Sequence, residues 1–260
     1  MSFLHTLTDA VALKRRALIA GFAAALTLTS LSAFAESGGP KLTVGPDGDV
    51  AELMKPGDLA DFSVGSADAK VTIVEYASMT CPHCAKFHKE VYPGLKSKYI
   101  DTGKVRFIFR DFPLNPRAFG GSMLARCVGG DKGLALLETL FDKQADWAFV
   151  EANPQQALFD VVKQAGFTQE SFEKCLTDQK LFEQLTAMQR RAADVHKVAS
   201  TPTFFVNGKR VVGPTLEDFD KLIEPMLGMA PAAAAAAPAA ATTAATPATA
   251  AAAAPAEEKK

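Results

Sequence analysis

Two of the four cysteines, Cys81 and Cys84, are separated by only two residues at the point where a strand-like run gives way to a helix-like one. That junction constrains the fold more than any other feature of the chain. Val71-Thr72-Ile73-Val74-Glu75-Tyr76-Ala77 is rich in β-branched residues and interrupted by a single acid, the composition of a strand buried on both faces. After a turn at Ser78-Met79-Thr80, the apolar residues Phe87, Val91, Leu95 and Tyr99 recur at helical spacing. Pro82 fits the first helical turn, where its missing N–H costs little. A cysteine at a helix start faces free backbone N–H groups and the positive end of the helix dipole. A thiolate is therefore favoured at Cys81, and thiolate is the form that attacks disulfides. Cys84 lies one turn further in.

A metal is the competing use for this pair. A structural zinc site built on such a motif needs a second one or two closely spaced histidines. The histidines are His5, His83, His88 and His196, and none forms such a set; His83 lies inside the motif itself. Copper(I) accepts soft thiolates, so a copper-binding module stays open, although the 7 methionines are scattered. No metal ligand set and no cofactor is expected. His88 and His196 read as surface or capping residues.

Two terminal segments do not belong to the fold. Residues 1–35 have a positive Lys14-Arg15-Arg16, an apolar run from Ala17 to Leu31 and a small-x-small cleavage pattern at Ala33-Phe34-Ala35, which together read as a secretory signal peptide. The apolar run is shorter than the roughly 18 residues of a membrane-spanning helix. Residues 230–256 contain only Ala, Pro and Thr, and 229–260 reads as a flexible low-complexity tail. Roughly 190 residues remain, enough for one well-cored domain with an insertion. The 18 Phe indicate that core better than the 48% hydrophobic content, which alanine in the leader and tail inflates. Losing Lys14, Arg15, Arg16 and Asp9 with the leader takes the formal net charge from −1 to −3. No basic block survives, so nucleic-acid binding has no electrostatic basis. An exported chain meets an oxidising compartment, here the periplasm, where cysteines pair.

The run from Glu75 to Cys84, with Cys81-Pro82-His83-Cys84 at its end, resembles the active site of the DsbA-like thiol:disulfide oxidoreductases of the thioredoxin superfamily. Within that superfamily a Pro-His dipeptide between the cysteines is of the oxidase type. A second landmark, Thr201-Pro202 before the strand Thr203–Val206, resembles the cis-proline loop that faces the active cysteines. Asn207-Gly208 then marks a hairpin on its own chemistry, followed by a strand at 210–213 and a closing helix at 215–227. The resemblance covers about 71–227. It implies an α/β thioredoxin fold in a domain at 70–228, with a helical insertion at about 114–198. Helices are expected at 116–129, 132–147, 154–166 and 169–197, punctuated by Gly129-Gly130, Asn153-Pro154 and Gly166. Segment 36–69 reads as an extended arm without a site of its own.

Carried over residue by residue, the resemblance implies a client mixed disulfide at Cys81, resolution by Cys84, and His83 stabilising the Cys81 thiolate. Glu75 would be the buried acid beneath the motif that moves protons to and from Cys84; a strand-end acid reaching solvent is the alternative. Pro202 would hold the backbone of Thr201 and Thr203 open for strand-like pairing with a client. Two positions depart from the best-known oxidase: His88 stands where it has an acid, and Thr201 where it has Val. Thr201 leaves an isomerase or reductase balance open, although the arm is too short for an isomerase dimerisation domain. The clients implied are exported proteins with free thiols, and re-oxidation would need a DsbB-type, quinone-coupled membrane partner.

Cys127 and Cys175 have no catalytic neighbours in the sequence. Two leftover cysteines in one exported domain read as a structural disulfide, with two buried inert thiols as the rival reading.

Overall fold

The computed structural model describes residues 46–229; the leader at 1–35, the first part of the arm and the tail from 230 lie outside them. The chain enters through a short helix α1 (Val50–Leu53), capped by the Asp49 side chain, and a strand β1 (Phe62–Val64). Then follow β2 (Val71–Ala77), α2 (Pro82–Glu90), α3 (Tyr92–Leu95) with a π turn at Lys96–Ile100, and β3 (Val105–Asp111). Six helices come next: α4 (Pro116–Val128), α5 (Gly130–Asp142), α6 (Gln144–Trp147), α7 (Pro154–Val162), α8 (Gln169–Leu176) and α9 (Gln179–Asp194). The chain returns through β4 (Thr203–Val206), β5 (Lys209–Val212) and α10 (Leu216–Met226).

The five strands form one mixed sheet in the order β1-β3-β2-β4-β5. β2 and β3 are parallel, which demands the crossover that α2 and α3 supply. The β4–β5 hairpin is antiparallel and turns at Asn207-Gly208, both at positive φ (46° and 85°), as a two-residue turn requires. Asn207 also ties the hairpin to the start of β2: its Oδ1 accepts from the Thr72 N–H at 2.8 Å, and its Nδ2 donates to the Lys70 carbonyl.

Alternation along β2 decides what lies under the cysteines. Ile73 and Ala77 point into the larger core with Phe87, Phe107, Phe204 and Phe219, whereas Val74 and Tyr76 point into a smaller core with Ile108 and Phe205 on the other face. By the same two-residue period Glu75 falls on the larger-core side, beneath α2. Phe87 anchors α2 there, with ring centroids 4.6 Å from Phe204 and 6.1 Å from Phe219.

The thioredoxin-type fold and its inserted helices stand where the sequence places them. Three details differ. The arm is not simply extended: Phe62–Val64 adds an edge strand, pairing Phe62 with Phe109 and Val64 with Phe107. The expected helix at 132–147 breaks at Lys143, which separates α5 from α6. The expected helix at 169–197 breaks at Thr177-Asp178, because the Asp178 carboxylate starts α9 afresh by accepting from the Leu181 N–H at 3.0 Å. A disulfide joins Cys127, at the end of α4, to Cys175 in α8, with Cα atoms 6.1 Å apart.

Candidate active site

Cys81 is the N-cap residue of α2, in extended geometry (φ −84°, ψ 117°), with Pro82 in the first turn. The turn before it is fixed from several directions. The Cys81 N–H donates to the Ser78 carbonyl at 3.0 Å, and Asn115, the cap of α4, donates from Nδ2 to Thr80 Oγ1 at 2.9 Å. Buried Gln144 on α6 donates from Nε2 to the Met79 carbonyl at 2.9 Å and to the Cys81 carbonyl at 3.0 Å. The inserted helices therefore hold the active turn from behind.

Thr201 and Pro202 arrive from the other side, joined by a cis peptide. The Cys81 thiol donates to the Thr201 carbonyl at 3.3 Å, which brings the two sequence landmarks into contact. Thr201 Oγ1 is buried without a geometric hydrogen-bond partner, so its proton is available to the neighbouring sulfur.

The two cysteines are free thiols of opposite character. Cys81 is 7% exposed, and its pKa is brought down to about 5. The largest cause is a hydrogen bond from the Cys84 thiol; the Thr201 hydroxyl and the backbone N–H groups of Cys84 and His83 add to it against the cost of burial. Cys84 is fully buried and its pKa is pushed well above the ordinary value, first by desolvation, then by its hydrogen bond to Cys81 and the charge of Glu75. One sulfur is built to be an anion and the other to be a neutral thiol.

Pro82 and His83 are exposed at the rim. The imidazole of His83 makes no hydrogen bond among the described residues; what this residue contributes to Cys81 is its backbone N–H. Glu75 is fully buried, so the strand-end alternative falls away. The expected surface position of His88 is corrected as well. Its side chain is only 6% exposed, with Nε2 2.9 Å from Glu75 Oε2 and its ring stacked on Phe141 at 4.4 Å. His196 is also buried, in the smaller core against Tyr76, with its pKa pushed down to about 4 by burial and by Arg110 and Arg191. Sequence reasoning missed Asn115 and Gln144. The Asn115-Pro116 pair is a helix-start signal that could have drawn attention to Asn115, but nothing local to Gln144 announces a contact with Cys81.

A sequence family described as Thioredoxin matches residues 58–225. The chain belongs to the thioredoxin family. Its architecture is shared with alpha-DsbA1 of Wolbachia pipientis, at 28% identity and a TM-score of 0.64 over 69% of this chain and 96% of that one. A protein-disulfide isomerase of Novosphingobium aromaticivorans superposes at 25% identity and a TM-score of 0.56, over 65% of this chain and 96% of that one. A Rickettsia bellii chain provisionally named a protein-disulfide oxidoreductase is 36% identical over 64% of this chain and 64% of its own length. The chain thus spans just under two thirds of that relative. Among the described residues no helix is long and apolar enough to cross a membrane, and no group of three or more His, Cys, Asp or Glu could hold a metal ion.

Proposed function

We propose that this protein is a DsbA-like thiol:disulfide oxidoreductase that passes a Cys81–Cys84 disulfide to exported client proteins in the periplasm. The observation that carries this reading is the opposed pair of sulfurs, Cys81 held down to about 5 and Cys84 pushed up by burial. A dithiol with one stabilised thiolate is a good leaving group from a client, and its disulfide is correspondingly oxidising. The signal-like leader supports an exported location, and the likeness to alpha-DsbA1 supports the reaction class.

In the oxidising direction a client thiolate attacks Cys81 Sγ. The Cys81–Cys84 bond breaks, and its electron pair leaves on Cys84, which takes up a proton. A second client thiolate then attacks the client sulfur of the mixed disulfide, and Cys81 departs as its stabilised thiolate. The client loses two electrons and the protein gains them. This balance corrects the expectation that Cys84 resolves during oxidation: attack by Cys84 on the mixed disulfide belongs to the reverse direction, which reduces or rescues clients. Re-oxidation falls to a DsbB-type membrane partner. Pro202 and the Thr201 backbone would align the client in strand-like fashion, whereas Thr203 is already in register with Tyr76 and Val212 within the sheet.

The test is oxidation of a reduced two-thiol peptide by the oxidised protein. One peptide disulfide should appear for each Cys81–Cys84 pair reduced, and Cys84→Ala should trap an oxidised peptide as a mixed disulfide on Cys81. No exchange, or trapping on Cys127 or Cys175, would overturn the assignment. A disulfide isomerase is the second reading, favoured by the unpartnered Thr201 hydroxyl beside Cys81; faster recovery of a scrambled substrate than oxidation of a reduced one would select it.

A further inference from the structure

Cys84 and His88 are one helical turn apart on α2, so both face β2 from the same side of the helix. Glu75 meets them there: its Oε2 pairs with His88 Nε2 at 2.9 Å, and its charge acts on the Cys84 thiol. In register on the neighbouring strands stand Phe109 and Phe204, which offer Glu75 no polar partner. The remaining titratable and charged groups around His88 are Tyr92 from α3, Glu138 and Asp142 from α5, and Lys89 and Lys96 at the rim. These line an open cleft that reaches His88 at the C-terminal end of α2, away from Cys81. Two atoms of the pair, Glu75 Oε1 and His88 Nδ1, are buried without a partner. Each such orphan costs about 1–3 kcal/mol, and a pair of apolar side chains would fill the same space without that cost.

Chemistry at Cys84 needs what this pair offers. Cys84 is fully buried, and a client bound at Cys81 covers the exposed end of the motif. The proton that Cys84 takes up on leaving must therefore come through the protein. We propose that His88 is a positioning residue that passes this proton between the cleft and Glu75, and through Glu75 to and from Cys84. The inference rests on the oxidoreductase reading of Cys81 and Cys84. As the disulfide breaks and its electron pair goes to Cys84, Glu75 hands a proton to that sulfur. His88 returns a proton to Glu75 from Nε2 and is recharged on Nδ1 when a water from the cleft its side chain lines reaches that buried nitrogen, since imidazole carries a proton on either nitrogen. One proton has moved from solvent to Cys84, and re-oxidation runs the same path backwards.

The test uses the oxidised full-length protein and dithiothreitol as the dithiol probe, with single-turnover reduction followed between about pH 5 and about pH 8. The thiolate content of the probe cancels in the ratio of His88→Gln to the parent rate. His88→Gln keeps an amide beside Glu75 but cannot relay a proton. We expect it to react about tenfold or more slowly at neutral pH, with a ratio that varies with pH, partial rescue by added imidazole, and an unchanged Cys81 titration. Equal rates and a constant ratio, or a slow variant that imidazole does not rescue and whose Cys81 titration has moved, would overturn the relay. Should His88→Gln fail to fold, the parent protein alone decides: a clear slowing in deuterated solvent supports the relay and equal rates reject it. If the parent protein does not oxidise dithiothreitol at all, it is the oxidoreductase reading that fails.

Discussion

Titrating Cys81 should make the reduced protein's stability depend on pH in a way the oxidised protein's does not. A cysteine thiol in an unfolded chain titrates near about 8.5, whereas Cys81 is brought down to about 5 by hydrogen bonds from Cys84, Thr201 and two backbone N–H groups. A group whose folded pKa is depressed adds stability that is complete above its unfolded value and lost as pH falls through its folded value. The window therefore runs from about 8.5 down to about 5. At pH 7, two pH units above the folded value, linkage gives a ceiling of about 2.7 kcal/mol. Solvent reaches the sulfur at the exposed rim beside Pro82 and His83, and screening brings this to about 1–2 kcal/mol. Cys84 adds little between pH 5 and pH 7, because its raised pKa in the folded state and the ordinary value of about 8.5 in the unfolded chain both leave it a neutral thiol there.

Thermal unfolding of the reduced and oxidised forms across this range isolates the effect, since the disulfide's own contribution is a constant offset. At roughly 2–4 °C per kcal/mol for a domain of this size, the reduced form should gain about 2–8 °C relative to the oxidised form between pH 5 and pH 7. The same free energy makes the disulfide more oxidising by about 20–40 mV. Ultraviolet thiolate absorbance should appear over the same range. A reduced-minus-oxidised difference that stays flat from pH 5 to pH 8, or a reduced Cys81→Ala variant that keeps the slope, would refute the reasoning.

Thr201→Val removes one hydroxyl donor to the Cys81 sulfur and should raise its pKa by about one unit, read by thiolate absorbance, with a changed isomerisation rate; no movement in either would leave Thr201 without a role. His83→Ala keeps the backbone N–H that acts on Cys81, so its shift should be smaller than that of Thr201→Val, and a larger one would show that the imidazole matters. Removing Cys127 and Cys175 together opens a loop of 48 residues, worth about 4 kcal/mol in the chain-entropy treatment and about 8–16 °C in Tm, while Cys81 should titrate as before; an unchanged Tm would contradict it. Gln144→Leu removes the side-chain donor to the Met79 carbonyl and one of the donors to the Cys81 carbonyl, which keeps the Cys84 and Ala85 N–H groups; it should cost about 1–3 kcal/mol in denaturant unfolding, and an unchanged midpoint would show the turn holds itself.

The sequence by itself determined the parts whose signals are local. The β-branched run at 71–77, Pro82 at the helix start, Asn207-Gly208 in the hairpin and the helix-start and helix-stop residues act through bonds and contacts within a few positions. They were legible in order, and so was the strand-to-helix junction that favours a thiolate at Cys81. Only the tertiary structure decided what depends on partners distant in the chain. Thr201 reaches Cys81 because β4 pairs with β2, and Gln144 reaches the same turn because the inserted helices fold back behind it. His88 looked like a surface residue since its helix carries Lys86, Lys89 and Glu90 around it, yet it lies on the face of α2 that covers Glu75 and Phe141. The edge strand at 62–64 was equally hidden. Three residues carry no usable period of their own, and it was the unpaired edge of β3 that gave them partners.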